Sequence, residues 1–193
     1  MIIGITGGTG CGKTTLLDLI RDRGGMVLDC DAIYHALLTT DPSLLQAIEN
    51  RFPGTVENGQ LQRKKLGAIV FADSQALQDL NRITHIAITT EVLRCLAAKP
   101  KLAAIDAIAL FESGLHKLCD VTVAVTAPTE DRIRRLMARD GISEDYARSR
   151  IAAQPSNEDF SSQCNYTLEN SGDIHVFQSN CLAFLRKIGI MES

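Results

Sequence analysis

GITGGTGCGKTTLLDLI, residues 4–20, sets five glycines and one lysine between two apolar flanks. Gly7, Gly12, Lys13 and Thr14 fit the pattern G-x-x-x-x-G-K-[ST] of a phosphate-binding loop. Before it, Ile2, Ile3 and Ile5 read as a short buried strand; after it, Leu16, Leu17 and Ile20 recur at helical spacing in a segment running to about residue 23. Strand, glycine loop and helix are the context the motif needs.

The spacing carries chemistry. Glycines let the backbone turn tightly, so that the N–H groups of Gly8, Thr9, Gly10, Cys11 and Gly12 can converge on an anion. The helix beginning near Lys13 adds its positive end. Lys13 reaches β- and γ-phosphates, Thr14 offers a hydroxyl to Mg²⁺, and Thr15 adds one near the α-phosphate. The implied ligands are ATP and Mg²⁺.

Downstream the pattern alternates. Residues 26–29, 102–106, 121–125 and 166–168 read as further strands. Between the second and third strands lie helical segments: one from Asp41-Pro42 to about residue 51, one over 61–71 and a long one over 72–99, with 52–60 as a loop. Residues 109–119 read as a connector or short helix. Thr129 is expected to cap a helix closed by Gly141, Ser143 the next one to about residue 153, and a last helix spans 174–188. Alternating strands and helices predict an α/β P-loop NTPase or kinase fold. Its five-stranded parallel sheet would carry helices on both faces, and ligands would sit at the strands' carboxyl ends. The expected organisation is one domain, 1–193.

That edge rule ranks the remaining polar residues. Asp29 and Asp31 end the second strand, where a carboxylate can accept the proton of an attacking hydroxyl, help hold Mg²⁺ or cap the following helix. Asp106 ends the third strand as a weak second acidic motif, and Glu112 follows it. Arg132, Arg135 and Arg139 share helical spacing, with Arg148 and Arg150 beyond; as a cluster they suit a lid that neutralises a transferring phosphoryl group. Histidines 35, 85, 116 and 175 are scattered.

Composition narrows the classes. A net charge of −3 leaves no basic footprint for nucleic acid. No apolar run is long enough to span a bilayer, and Met1 leads straight into the first strand without a basic leader segment. Six cysteines show no C-x-x-C pair and no metal-like spacing to histidine, which suits a reducing, cytoplasmic setting. Cys11 reads as a small residue that fits the loop. No N-K-x-D motif is present, which counts against a GTPase.

Taken in order, the segments resemble the dephospho-CoA kinase family over nearly the whole chain. ITGGTGCGKTT (5–15) is similar to its phosphate loop and DCDAIYH (29–35) to its D-A-D motif. GQLQRKKLGAIVF (59–71), LNRITHIAI (80–88) and IALFESGL (108–115) match further family segments, as do residues 121–154 and NYTLENSGD (165–173). The resemblance implies phosphorylation by ATP of the ribose 3′-hydroxyl of dephospho-CoA, with no nucleic acid or membrane partner and a monomer or weak homo-oligomer. It makes Asp31 the base, Lys13 and Arg139 catalytic, and Asn170 a neighbour of the adenine. It sets Arg63 and His85 on the acceptor side, with Glu112 supporting the cleft. A helical block of about 41–99 would hold the acceptor and a lid of about 140–161 would close over ATP. Ile86 and Ala109 stand where the family has proline, Asn165 where aspartate is common, and residues 155–163 are acidic and polar where basic residues are usual. The rival readings are another P-loop nucleoside or nucleotide kinase and a non-catalytic nucleotide-dependent switch.

Overall fold

The computed structural model describes residues 1–190. In chain order the elements begin with β1 (Ile2–Thr6), α1 (Lys13–Arg21) and β2 (Met26–Asp29). There follow α2 (Cys30–Thr40), α3 (Pro42–Arg51), β3 (Val56–Glu57), β4 (Gln60–Leu61), α4 (Arg63–Ala72) and α5 (Ser74–Leu96). The last part holds β5 (Ala103–Asp106), β6 (Val121–Thr126), α6 (Thr129–Asp140), α7 (Glu144–Ala152), α8 (Asn157–Gln163), β7 (Tyr166–Glu169) and α9 (Ile174–Lys187). The chain divides into two compact units, one of residues 1–27 with 100 onward, the other of residues 28–99.

The five-stranded sheet, in the order β2-β5-β1-β6-β7, belongs to the first unit except for the last two residues of β2. β1 runs parallel to β5 and β6, and β6 to β7, with Ile5 level with Asp106 and Thr6 with Ala124. Strand alternation sorts the side chains. Ile3, Ile5, Val123 and Val125 face a core completed by Leu16, Leu17 and Ile20 of α1 and by Phe177, Cys181, Phe184 and Leu185 of α9. On the other face a Cβ at Gly4 would touch Leu110, Cys119 and Thr122, so this position lies under the 110–119 segment. The register brings the chain after β1 and the end of β5 to one edge of the sheet, where the glycine loop begins.

The second unit has its own core, built from Leu38, Leu44, Leu45, Ile48, Phe52, Leu66, Val70 and Ala76. Asp41 caps α3 ahead of Pro42, its carboxylate accepting from Ser43 N and Leu44 N. Among the described residues no helix is long and apolar enough to cross a membrane.

Several boundaries differ from the sequence reading. The expected loop at 52–60 contains the first strand of an antiparallel hairpin that pairs Val56 with Leu61. Asn58 and Gly59 turn it with φ of 51° and 72°, the positive pair a two-residue hairpin turn requires. Leu61 therefore belongs to β4, and the helix expected from 61 begins at Arg63. Thr129 does not cap α6: Pro128 holds the cap position in extended geometry, and Thr129 is already helical. Residues 109–119, read as a connector or short helix, hold one 3₁₀ turn, Leu115–Leu118. The acidic stretch at 155–163 contains α8, anchored by buried Phe160. Asn165, which stands where aspartate is common in the family, closes the start of β6: its Oδ1 accepts from Thr122 N at 2.8 Å and from the Thr122 hydroxyl at 3.0 Å.

Candidate active site

The glycine loop leaves β1 at Thr6 and enters α1 at Lys13. Gly7 has φ 139° and Gly12 φ 92°, values that L side chains avoid. Space excludes other residues too. A Cβ on Gly7 would fall on the Val125 carbonyl, and one on Gly12 would fall on the Asn170 amide. α1 starts with no side-chain cap and no acidic residue in its first turn, so its positive end is left for an anion.

Lys13 folds back over this loop. Its ammonium donates to the Gly7 carbonyl at 2.9 Å and lies 3.8 Å from Asp106 Oδ1, each side chain being only 14 % exposed. Thr14 is exposed and Thr15 half-buried on the first turn. Cys11 is fully buried. Burial pushes its thiol pKa up, against the pull of the Arg132 and Lys13 charges, so Cys11 is a packed small residue at neutral pH.

Behind the loop stand side chains from distant parts of the chain. Arg132 is 3 % exposed. Its Nε donates to the Thr9 carbonyl at 2.9 Å, and its guanidinium donates to Gln154 Oε1 at 3.0 Å. That same oxygen accepts from the Thr9 amide at 2.9 Å. Arg135 donates to the carbonyls of Gly10 and Cys11 at 3.2 and 3.4 Å, and to Asn170 Oδ1 at 3.1 Å. Asn170, also buried, donates its amide to the Cys11 carbonyl at 2.9 Å. Four side chains, Arg132, Gln154, Arg135 and Asn170, thus fix the backbone of the loop on which Lys13 also rests.

The arginine cluster is consequently split. Arg132 and Arg135 brace the loop, whereas Arg139 is exposed and makes two bonds to Asp140, at 2.7 and 3.0 Å. Arg150 adds a third, at 2.8 Å, and this company, Arg139 first, holds the Asp140 carboxyl down at about 2. Arg148 bridges Glu130 and Glu144. Glu112 is exposed in the segment after β5.

In the second unit the two aspartates of DCD have different roles. Asp29 caps α2, accepting from Asp31 N and Ala32 N, both at 3.0 Å. Asp31 sits exposed on the first turn, its backbone fixed by that cap. One turn on, His35 Nδ1 lies 3.2 Å from the Arg63 guanidinium. A guanidinium only donates, so Nδ1 accepts here and the ring proton is on Nε2. Burial raises the Tyr34 hydroxyl pKa, and the Arg63 charge opposes the rise. His85 is half-buried on α5.

Sequence reasoning gave Gln154 and His35 no role and read Arg132 as a lid residue. For Arg132 a signal existed. It shares a helix face with buried Leu136, so the spacing puts a cation into the packed side of α6.

A sequence model of the dephospho-CoA kinase family matches residues 1–175. A dephospho-CoA kinase of Corynebacterium diphtheriae is 36 % identical over 183 residues, 92 % of each chain. The crystal structure of TT1252 from Thermus thermophilus superposes with a TM-score of 0.81 at 32 % identity, covering 97 % of both chains. The dephospho-CoA kinase of Campylobacter jejuni shares the fold, with a TM-score of 0.68 at 24 % identity over 98 % of both chains. With a family match over most of its length and a braced phosphate loop at the sheet edge, the chain belongs to the dephospho-CoA kinase family.

Proposed function

We propose that this protein transfers the γ-phosphoryl group of ATP to the ribose 3′-hydroxyl of dephospho-CoA, giving coenzyme A and ADP. The observation that carries the donor half is Lys13, folded back onto a loop whose backbone is pinned by four side chains. Its ammonium lies 2.9 Å from the Gly7 carbonyl and 3.8 Å from Asp106, and both are partners that phosphate oxygens can replace. Family membership supports the acceptor half.

The residues fit a magnesium nucleotide. The loop is one in which a Cβ at Gly7 or Gly12 would collide, and the Thr14 hydroxyl sits exposed on the first turn of α1. Among the described residues no cluster of three His, Cys, Asp or Glu could hold a metal by itself, which suits an ion held largely by substrate phosphates and water. Thr14 would hold Mg²⁺, and Asp106, at the end of β5 and 3.8 Å from the Lys13 ammonium, is the carboxylate beside the loop. When bound, the ion neutralises charge on the β- and γ-phosphates.

The other roles follow the chemistry. The amides of Gly8, Thr9, Gly10, Cys11 and Gly12 cradle the phosphates, with Thr15 at their edge. Lys13 and Arg139 stabilise charge on the transferring group. Asp31, exposed and held by the Asp29 cap, accepts the proton of the 3′-hydroxyl. Arg63 and His85 bind the acceptor, and Glu112 lines the cleft. Asn170 acts through the loop backbone, ordering the edge at which the base of ATP rests.

The test is ADP release from MgATP with dephospho-CoA, adenosine or AMP as acceptor. Stimulation by dephospho-CoA alone, with coenzyme A as product, is the expected result; stimulation by another acceptor transfers the mechanism to another substrate. Asp31→Asn keeps ATP binding and loses turnover by roughly 10²–10⁴-fold. Turnover at the wild-type rate in that variant overturns the assignment of the base.

A further inference from the structure

Phe71 is 87 % exposed, more than any other large apolar side chain described. It ends the row Arg63, Gly67, Phe71 on α4, whose members follow at intervals of four residues and so form one ridge about 12 Å long. The middle of the ridge is a glycine inside a helix, an unfavourable residue there. Neither backbone nor packing asks for it. Gly67 lies outside the left-handed region, and a Cβ on it would meet only the Phe71 ring, at 3.5 and 3.7 Å, an ordinary contact. A helix that gives up a side chain without an internal reason, beside an aromatic ring left in water, is shaped for something that lies along it.

The neighbouring residues select the occupant. At its N-terminal end the ridge begins with Arg63, held by His35 at 3.2 Å, and Lys64 follows it, exposed. His35 is one helical turn from Asp31 on α2. The His35–Arg63 contact joins two rows, Asp31–His35 on α2 and Arg63–Gly67–Phe71 on α4, and followed through that contact they present a carboxylate, an imidazole with a guanidinium, a small gap and an aromatic ring. Dephospho-CoA has the matching order: ribose hydroxyl, diphosphate, then a flexible arm of methyl-bearing carbons and amides ending in a thiol.

Resting on the reading that this unit binds the acceptor, we propose that the Gly67–Phe71 ridge of α4 carries the arm of dephospho-CoA, with Arg63 taking its diphosphate. The glycine admits the arm close to the helix, and Phe71 covers its apolar carbons. This makes Phe71 a specificity residue: it rewards acceptors that have the arm over adenosine or AMP, which lack it.

The experiment uses the full chain and compares wild type, Phe71→Ala and Gly67→Leu. Gly67→Leu favours the helix, so its effect is not one of unfolding. Both changes raise the KM for dephospho-CoA about tenfold and leave the KM for ATP and kcat within about twofold. 4′-Phosphopantetheine, the arm with one phosphate, inhibits wild type competitively against dephospho-CoA and loses potency about tenfold in Phe71→Ala. The wild-type rate with dephospho-CoA is read first, because its absence overturns the function proposed above and the ridge assignment with it. If wild type is active and neither variant changes the acceptor KM, only the ridge assignment falls. A change of sedimentation in Phe71→Ala with an unchanged acceptor KM gives the ridge to a second copy of the chain and likewise overturns it.

Discussion

Arg132 carries its charge into a site only 3 % exposed, which is costly unless every donor finds an oxygen. It finds the Thr9 carbonyl and the Gln154 side chain, and Gln154 uses the same oxygen to hold the Thr9 amide. The planar fork of a guanidinium serves two acceptors at once, whereas a lysine ammonium is a point charge on a flexible stem. Arg132→Lys should therefore lower stability by about 1–3 kcal/mol, seen by urea unfolding, because part of a buried network loses its partners. It should also raise the KM for ATP several-fold and spare that for dephospho-CoA. Equal stability and an unchanged KM for ATP would mean that the loop holds its shape unaided. The spacing of Arg132, Arg135 and Arg139 was legible in the sequence, but their depth was not. The bond from Arg132 to Thr9 spans 123 positions, and only the folded sheet brings these residues together. The His35–Arg63 pair, 28 positions apart, was hidden for the same reason.

At the scale of elements, the cap of α2 separates the two aspartates that the sequence left open. Asp29 satisfies the first amides of the helix, so it acts through backbone geometry, and Asp31 is left exposed for chemistry. Asparagine caps about as well as aspartate, whereas alanine costs about 1 kcal/mol. Asp29→Asn should therefore unfold at the wild-type urea midpoint, and Asp29→Ala should fall below it by about that amount. Asp31→Asn should leave the midpoint nearly unchanged while lowering turnover by roughly 10²–10⁴-fold. An Asp29→Asn variant as inactive as Asp31→Asn would give Asp29 a chemical role as well. The long elements were legible because burial repeats along them, as in the fully buried run of β6. Short ones carry too few repeats. α8 has seven residues, under two turns, and its signal lies in the reciprocal bonds of Ser156 and Asp159. The β3–β4 hairpin has two residues per strand, and only Asn58-Gly59 marks it. Thr129 was misread because threonine is a common cap, yet the extended Pro128 before it already makes the turn into α6.

At the scale of the molecule, each compact unit has its own buried core and its own share of the chemistry. The phosphate loop, its braces and Asp106 belong to the first unit; Asp31, His35, Arg63 and His85 belong to the second. A ligand stabilises the structure it binds by about 2.7 kcal/mol at a hundredfold excess over its Kd. Hydrogen exchange slows wherever opening would break that binding. ADP should then protect peptides of α1, of α6 and of the segment around Asn170, all tied to the loop by hydrogen bonds. Dephospho-CoA without nucleotide should protect α2 and α4, and Asp31→Asn, which keeps the acceptor unit intact, should preserve that pattern. Exchange followed by mass spectrometry reads both ligands on one sample. Protection by dephospho-CoA confined to the loop peptides would place the acceptor in the donor site and remove Asp31 from the reaction. Protection divided between the units as described would mean that each substrate is recognised by a separately packed core, so that a substitution in one core should alter one KM and leave the other.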